Sequence, residues 1–269
     1  MKRKLLIAIC TVIACSLLAI PIWLTLSNPT RELDNAIQKA INYCEDIDDP
    51  YGLLMLDVMY RRFGIQEFAD ALQRYDQEML NLAYTESILR VFRRIADHEN
   101  QLKPGDMEAV TYDADKLTAP ALYCDRYGLP EDYMGMFETA LLRGGSFAAH
   151  ALLAWIWIQE NGCELPFSDA RVEALFDANA ELINDDPVVD DVEIEAATFL
   201  YIAGQDSLVN EHFVNRVLAV QNEDGGWYFS SDTPDDTSYW HTTVLALMFL
   251  LHTKYLSESY PPMLAPAQP

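Results

Sequence analysis

Basic residues are scarce in this chain of 269 residues, which has 18 lysines and arginines against 42 aspartates and glutamates and a formal net charge of −24. A surface of this sign repels the phosphates of nucleic acid, so we predict that nucleic acid is not a partner. The chain has only 5 cysteines, which is too few for a disulfide-knot protein of this length. Its 11 glycines also exclude a collagen-like repeat.

Motifs for metals and cofactors are absent from the sequence. There is no Cys-x-x-Cys pair and no cysteine–histidine spacing of a zinc site, and the acidic stretches 45–49 and 185–191 lack the spacing of an EF-hand. We therefore predict no metal and no cofactor. Beyond the first 28 residues we expect Cys44, Cys124 and Cys163 to be buried and unpaired; the alternative, in an oxidising compartment, is one disulfide and one free thiol.

A long apolar run covers residues 5–26, which carry no charge. A helix of this length, at about 1.5 Å per residue, crosses the roughly 30 Å hydrocarbon core of a membrane. Basic residues at positions 2–4 precede the run, which by the positive-inside rule places the N-terminus in the cytoplasm and the main domain in the periplasm or outside the cell. We predict an uncleaved signal-anchor over residues 1–28. A cleaved signal peptide and lipoprotein processing at Cys15 are the alternatives.

Helical periodicity runs through most of the remaining chain. Pro29 after Asn28 suits the start of a helix, and apolar residues then recur on one helical face as far as Cys44. Similar patterns or buried runs cover residues 65–75, 88–95, 147–158, 172–183, 214–218 and 243–251. Residues 188–194 alternate briefly like a strand, although the residues after them favour a helix. We predict an all-α domain of about eleven helices over residues 29–257 and a proline-rich tail over 258–269.

Residues 217–227 end a helix in a glutamine, a glycine turn and a tryptophan. Gln221, Gly225 and Trp227 fit the Gln-x-x-x-Gly-x-Trp repeat, and this segment with the following helix resembles the squalene/terpene cyclase and protein prenyltransferase superfamily. In that family the glutamine caps an adjacent helix and the tryptophan stacks over it. The resemblance implies an α/α toroid, or an incomplete ring of antiparallel helical hairpins.

The sequence departs from the catalytic motifs of this superfamily. Thr233 stands where the first aspartate of the Asp-x-Asp-Asp acid motif belongs, ahead of Asp235 and Asp236, so the proton donor of a cyclase is incomplete. No cysteine follows Asp235, so the zinc ligands of a prenyltransferase are missing as well.

Acidic and aromatic residues are dense between residues 227 and 241, which makes this segment the best candidate site. We predict Asp235, Asp236 and His241 as catalytic acid and base groups. A second histidine, His150, lies at the corresponding point near the start of an earlier apolar helix. The predicted ligand-binding residues are Trp227, Tyr228, Tyr239, Trp240 and His150. In the alternative interpretation, the aspartates cap the next helix and His241 belongs to the core.

Our first hypothesis for the function is a membrane-anchored extracytoplasmic helical-repeat domain that acts as a binding or accessory module for a glycan or a protein. The alternative is a carbohydrate-active hydrolase or lyase that uses Asp235 or Asp236 beside an aromatic-lined cavity. A second alternative is a relative of the terpenoid cyclases or prenyltransferases. An enzyme should place Asp235, Asp236 and His241 within about 10 Å of one another, facing an aromatic-lined pocket with at least one shifted pKa, whereas a module should leave them as helix caps.

Overall fold

The computed structural model describes residues 29–81, 86–164, 167–233, 237–255 and 260–267. Within these ranges the chain forms twelve α-helices and four short 3₁₀ helices, and the only β-type contact is an isolated bridge between Asp190 and Ser230. The prediction of an all-α fold is confirmed. The predicted membrane span lies outside the described residues, and none of the helices within them is long and apolar enough to cross a membrane.

The α-helices are α1 (Pro29–Cys44), α2 (Pro50–Phe63), α3 (Ala71–Asn81), α4 (Glu86–Phe92), α5 (Asp115–Leu122), α6 (Cys124–Tyr127), α7 (Tyr133–Arg143), α8 (Ser146–Glu160), α9 (Asp169–Ala180), α10 (Asp191–Ile202), α11 (Glu211–Ala219) and α12 (Trp240–Lys254). The 3₁₀ helices cover Gln66–Phe68, Arg93–Ile95, Met107–Ala109 and Asp206–Leu208. The periodic pattern over residues 65–75 is therefore split between a 3₁₀ turn and the start of α3.

Helices α8, α10 and α12 form the centre of the core because their sequences are apolar on nearly every face. Helix α10 contacts both α8 and α12, α8 also contacts α5, and α12 also contacts α2. Helices α1, α3 and α11 bury only one face; α1 and α11 pack on the outside of α12, whereas α3 packs on α2. The alternation of central and outer helices along the chain follows from this difference in amphipathic character.

The first helix packs antiparallel to the last one. Near the start of α1, Asp34 pairs with Lys254 at the end of α12, with 2.8 Å between the carboxylate and the ammonium. Near the end of α1, the Tyr43 hydroxyl donates a hydrogen bond of 2.8 Å to the carbonyl of Ser238, just before α12. The two ends of the described chain are therefore joined along one helix pair.

The glutamine–glycine–tryptophan turn attaches to this pair. The Gln221 amide donates to the carbonyl oxygens of Ala36 in α1, at 2.9 Å, and of Gly225, at 2.8 Å. Gly225 has a φ of 97°, and a Cβ at this position would lie 2.3 Å from the carbonyl oxygen of Lys39. Only glycine permits this close approach of the turn to α1.

The C-terminal segment 260–267 packs against the other end of the central helices. Met263 and Leu264 are buried, and their backbone N–H groups donate to the Glu160 carboxylate at 2.8 and 3.0 Å. The Arg61 guanidinium donates to the carbonyl of Met263 at 2.8 Å. Glu160 and Arg61 lie in the last turns of α8 and α2, so this part of the predicted tail covers the C-terminal ends of those helices.

The expectation of buried, unpaired cysteines is wrong for Cys124 and Cys163, and the arrangement found is the alternative of one disulfide and one free thiol. Cys124 and Cys163 form a disulfide across a sequence separation of 39 residues, while Cys44 is free and buried. The end of α8 is held beside the end of α5 because the Asn161 amide donates to the carbonyl of Ala121 at 3.0 Å. This long-range packing, which local sequence patterns do not encode, brings the two sulfur atoms together.

Candidate functional site

A cavity of about 230 Å³ lies between the central helices. Its walls come from α2, α5, α8, α10 and α12, with Phe92 and Ile95 from the segment that ends α4. Polar side chains come from the first five residues of these helices, and apolar side chains from the fifth residue onwards. The polar group comprises Tyr51, Asp115, Thr118, His150, Glu195, Trp240 and His241, and the apolar group Leu54, Met55, Phe92, Ile95, Leu153, Trp157, Phe199, Val244 and Leu245.

Two local features set the positions of these polar side chains. Asp49 caps α2 by accepting a hydrogen bond of 2.9 Å from the backbone N–H of Tyr51. Helix α10 begins with a capping box, in which Asp190 accepts from the Glu193 N–H at 2.9 Å and Glu193 accepts from the Asp190 N–H at 3.3 Å. This cap fixes the register of α10, with Glu193 at its start and Glu195 in the cavity wall.

Glu195 is the most deeply buried acid of the cavity, with 2% of its surface exposed. Its Oε1 lies 3.4 Å from Nδ1 of His150, which is also 2.8 Å from the Ser146 carbonyl oxygen. Burial raises the pKa of Glu195, the positive charges of His150 and His241 oppose this rise, and the negative charge of Asp191 adds to it. The carboxyl group therefore keeps its proton to higher pH than an ordinary glutamate.

His241 is oriented by an acidic partner. Its Nδ1 lies 2.9 Å from Oδ1 of Asp191, which also accepts a hydrogen bond from the Thr242 hydroxyl. An ionised carboxylate only accepts hydrogen bonds, so Nδ1 carries the proton and Nε2 is the nitrogen left for a ligand. Burial lowers the pKa of His241, but the bond to Asp191 and the charges of Asp191, Glu195 and Asp49 outweigh it, so the net effect raises this pKa.

Helices α5 and α2 contribute a second acid, Asp115, and the hydroxyl group of Tyr51 to the cavity. Burial raises the pKa of Asp115, and the charge of His150 offsets part of this rise. Burial also raises the pKa of Tyr51, with smaller contributions from Asp115 and Asp49. The polar end of the cavity thus holds proton donors and acceptors on both sides, and neither lysine nor arginine is among the described residues that line it.

The structure brings together some of the predicted site residues. His150, Trp240 and His241 all line the cavity, and the half-exposed ring of Tyr239 lies 6.1 Å from that of His241. Asp235 and Asp236 lie outside the described residues.

The two remaining predicted residues lie away from the cavity lining. The Trp227 side chain is buried and donates from Nε1 to the Val217 carbonyl at 2.8 Å. Tyr228 is half-buried. The tryptophan therefore packs on the end of α11, next to the glycine turn.

Sequence reasoning missed the acids that face these histidines. Asp191 and Glu195 are four residues apart in α10, so they share one helical face, and both are buried in an otherwise apolar helix. Acids are rarely fully buried without a partner, so two acids on one face of an apolar helix were the sequence signal for a buried polar site. No comparable sequence pattern marks the other lining residues Asp115, Tyr51 and Trp157, because only the tertiary packing brings them to the cavity.

Within the described ranges, no group of three or more histidine, cysteine, aspartate and glutamate side chains is arranged to hold a metal ion. When the chain is compared with protein-family models, curated proteins and solved structures, nothing matches significantly. The chemistry of the site therefore has to be inferred from its own residues.

Proposed function

We propose that this chain is an acid–base hydrolase of uncharged glycosides, held at the extracytoplasmic face of a membrane by its N-terminal segment. The observation that carries the proposal is the buried carboxyl group of Glu195, which lies in an aromatic-walled cavity beside His150 and the His241–Asp191 pair. Burying ionisable groups costs free energy that apolar side chains of similar size do not. A cluster of such groups with shifted pKa values in a cavity is typical of an active site.

The raised pKa values of Glu195 and His241 each suit a specific role in glycoside hydrolysis. Glu195, with its raised pKa, donates a proton to the glycosidic oxygen as the bond to the anomeric carbon breaks. His241, whose raised pKa makes it a stronger base, takes a proton from water through Nε2 while the water oxygen bonds to that carbon. Asp191 holds the imidazole in the required tautomer. A direct attack by water predicts inversion at the anomeric carbon.

The charge of the cavity selects among carbohydrate substrates. The carboxyl groups of Asp115 and Glu195 line it, Asp191 lies directly behind His241, and its described lining includes no lysine or arginine. A uronic acid would bring its own carboxylate beside these acids, and the only cationic groups of the described lining, His150 and His241, already face Glu195 and Asp191. Since polysaccharide lyases act on uronic acids, the cavity favours a hydrolase of neutral sugars over a lyase.

An α/α toroid is the architecture we propose around this cavity. The contacts between α5, α8, α10, α12 and α2 follow one another around the cavity, with outer helices between most of them in the chain. The Gln221 amide bonds to the Ala36 carbonyl in the middle of α1 and does not cap this helix, but with the Gly225 turn against Lys39 it ties neighbouring helices together, as the resemblance to the cyclase and prenyltransferase superfamily implies. These observations support a relationship to that superfamily with different catalytic residues.

The disulfide between Cys124 and Cys163 supports a domain outside the cytoplasm, because such bonds persist mainly in oxidising compartments. Helix α1 begins directly after the predicted span and ends beside the polar end of the cavity, about 24 Å away for its 16 residues. The polar end of the cavity then faces away from the membrane. This orientation favours a soluble glycoside and weighs against a membrane-borne terpenoid substrate.

The proposal is tested with the full chain in detergent and a panel of neutral aryl glycosides, each matched with the aryl uronide. We expect the wild type to release the aryl alcohol from at least one neutral glycoside, and Glu195→Gln to lower the rate by about 10²- to 10⁴-fold. Glu193→Gln, an equally buried glutamate of the same helix outside the cavity lining, is the matched control. If a glycoside raises the melting temperature but is not hydrolysed, the result would support the binding module. If no glycoside is hydrolysed and none raises the melting temperature, the glycoside site is refuted.

A further inference from the structure

The cavity opens to the surface at its polar end and ends inside the core. Near the opening, Tyr51 is 37% exposed and the side chain of His241 is 32% exposed. The described residues that line the deep end, such as Trp157 and Phe199, are buried. The end of a sugar chain can therefore enter this cavity, whereas the middle of a chain cannot pass through it.

The volume of the cavity matches one sugar residue. An engineered apolar cavity of about 150 Å³ binds benzene, which allows about 25 Å³ for each carbon atom of the ring. At the same volume per atom, the cavity of about 230 Å³ holds about nine non-hydrogen atoms, which is close to the size of one sugar residue and well short of two. The remainder of a longer substrate must lie outside, beyond the polar end.

The contact between Glu195 and His150 indicates where this remainder lies. Oε1 of Glu195 is 3.4 Å from Nδ1 of His150 on α8, whereas His241 lies on α12 and faces Asp191. In an inverting hydrolysis the acid lies on the side of the leaving group, and the base activates water on the opposite face of the sugar. The leaving sugar should therefore lie on the side of α8 and α5, beside His150.

An exposed aromatic surface borders the cavity on this side. Tyr112, three residues before α5, is 52% exposed, and its ring centre lies 6.3 Å from that of His150 and 6.5 Å from that of Phe147. We call Tyr112 and Phe147 the aromatic rim. Phe147 also lines a second cavity of about 350 Å³, between α5 and α7. Its polar side chains offer both donors and acceptors to sugar hydroxyl groups and are Asp113, Lys116, Asp132, Thr139 and Arg143.

Charged side chains hold this surface in place. The guanidinium carbon of Arg143 lies 3.4 Å from the ring centre of Phe147, and its Nη1 lies 3.2 Å from Oδ2 of Asp113. The side chain of Arg143 is 47% exposed, so its N–H donors are within reach of a sugar that stacks on the aromatic rim.

We propose that the aromatic rim and the adjoining second cavity form a subsite for the leaving sugar of a neutral glycan, while the terminal sugar occupies the first cavity. The bond between the anomeric carbon of the terminal sugar and the glycosidic oxygen breaks as Glu195 gives its proton to that oxygen. The oxygen of the attacking water bonds to the carbon, and His241 takes a proton from this water. This inference rests on the proposed function and narrows it to the removal of single sugars from the non-reducing end of a glycan.

The test uses the neutral sugar that the aryl glycosides identify and compares its glycosyl fluoride with its disaccharides in each linkage. A fluoride leaving group is a single atom and does not reach the aromatic rim. On the full chain in detergent, we expect Tyr112→Ala to lower kcat/KM for the preferred disaccharide by about five- to tenfold and to leave the value for the fluoride unchanged. Tyr112→Phe keeps the ring and should retain the wild-type values for both substrates.

Phe229→Ala is the matched control. Phe229 is 57% exposed, and its ring lies 5.8 Å from that of Tyr239, which is on the His241 side of the cavity. This variant should hydrolyse both substrates like the wild type. An effect of Tyr112→Ala on both substrates or on neither, or an equal loss in Phe229→Ala, would overturn the subsite for the leaving sugar.

The products from a linear tetrasaccharide of the preferred linkage give a second measurement. The first products should be a monosaccharide and a trisaccharide, because the first cavity holds one terminal sugar, and a disaccharide as the first product would overturn this. Hydrolysis of the aryl glycosides, slowed in Glu195→Gln, would still support the proposed function in that case. If the wild type hydrolyses no aryl glycoside, fluoride or disaccharide, the proposed function fails as well.

Discussion

Two glutamates of α10 allow catalysis to be separated from stability. Glu193 and Glu195 are two residues apart and both 2% exposed, but their partners differ. Glu193 accepts hydrogen bonds from two backbone N–H groups, that of Asn184 in the segment after α9 and that of Asp190 at the N-cap of α10, and it lies 3.3 Å from the guanidinium of Arg216. Glu193→Gln removes the carboxylate charge and with it the ion pair to Arg216, which lowers stability. Burial raises the pKa of Glu193 despite Arg216, so the buried charge itself costs free energy and its removal offsets part of this loss. We expect the free energy of unfolding to fall by about 1–2 kcal/mol, with the catalytic rate unchanged because a glutamine keeps the capping box that places Glu195.

Glu195→Gln should have the opposite effects. The pKa of Glu195 is raised in the folded state, so folding loses stability as the pH rises above the unfolded value, and a neutral side chain avoids this loss. At neutral pH we therefore expect the variant to be as stable as the wild type or more stable, by up to about 1.4 kcal/mol for each pH unit that separates the folded and unfolded pKa values. The rate should fall by about 10²- to 10⁴-fold, because the proton donor is gone.

Urea unfolding at pH 7, together with initial rates on the best neutral aryl glycoside, measures both effects on the same preparations. Glu193→Gln should lower the stability and spare the rate, and Glu195→Gln should lower the rate and spare the stability. A loss of more than about 2 kcal/mol in Glu195→Gln, with activity retained in the folded fraction, would show that Glu195 is a structural residue and refute its role as the acid.

Three further predictions concern the fold. Gly225→Ala should lower the free energy of unfolding by more than about 3 kcal/mol, because the added Cβ would clash with the Lys39 carbonyl oxygen. Gly64 also has a positive φ but has open space around it, so Gly64→Ala should cost only about 1–2 kcal/mol. Equal losses for the two variants in urea unfolding would contradict this prediction. Burial lowers the pKa of His252 to about 3, so the free energy of unfolding of the wild type should fall as the pH drops from about 6.5 towards 3, by up to about 1.4 kcal/mol per pH unit. His252→Phe should remove this dependence on pH. If the free energies of wild type and variant fall in parallel with pH, His252 is not its source. Reduction of Cys124–Cys163 should cost about 4 kcal/mol for a loop of 39 residues, and an unchanged urea midpoint under reductant would exclude this contribution.

The fold class was predictable because the helices are long and their apolar faces are distinct. The periodic pattern from Pro29 to Cys44 coincides with α1, and the apolar runs within α8 and α12 are buried as expected. The start of α10 was harder to locate, because the alternation over residues 188–194 resembles a strand. The capping box of Asp190 and Glu193 decides for the helix, and this pair is visible in the sequence.

The site was predictable only in part. His150 and His241 were selected because each lies near the start of an apolar helix, and that common position places both at the polar end of the cavity. Glu195 was not selected: its spacing from Asp191 in an otherwise apolar helix is visible in the sequence, but only the tertiary packing shows that this helical face borders a cavity. Segment 260–267 was expected to be a tail because it is rich in proline and short of regular patterns. Its docking depends on Glu160 and Arg61, which are far away in sequence.

The directions of the helices explain why this cavity can combine an acid with a base. Its polar side chains come from the N-terminal parts of the helices, and within the first turn of a helix the positive end of the dipole stabilises a carboxylate and destabilises an imidazolium. Asp191 is the first residue of α10 and benefits from this field, while His241 is the second residue of α12 and is disfavoured by it once protonated. The raised pKa of His241 therefore depends on the carboxylates around it, above all on the hydrogen bond to Asp191. Asp191 is for this reason as necessary to the proposed base as the imidazole itself, although it lies behind His241 and not in the cavity lining.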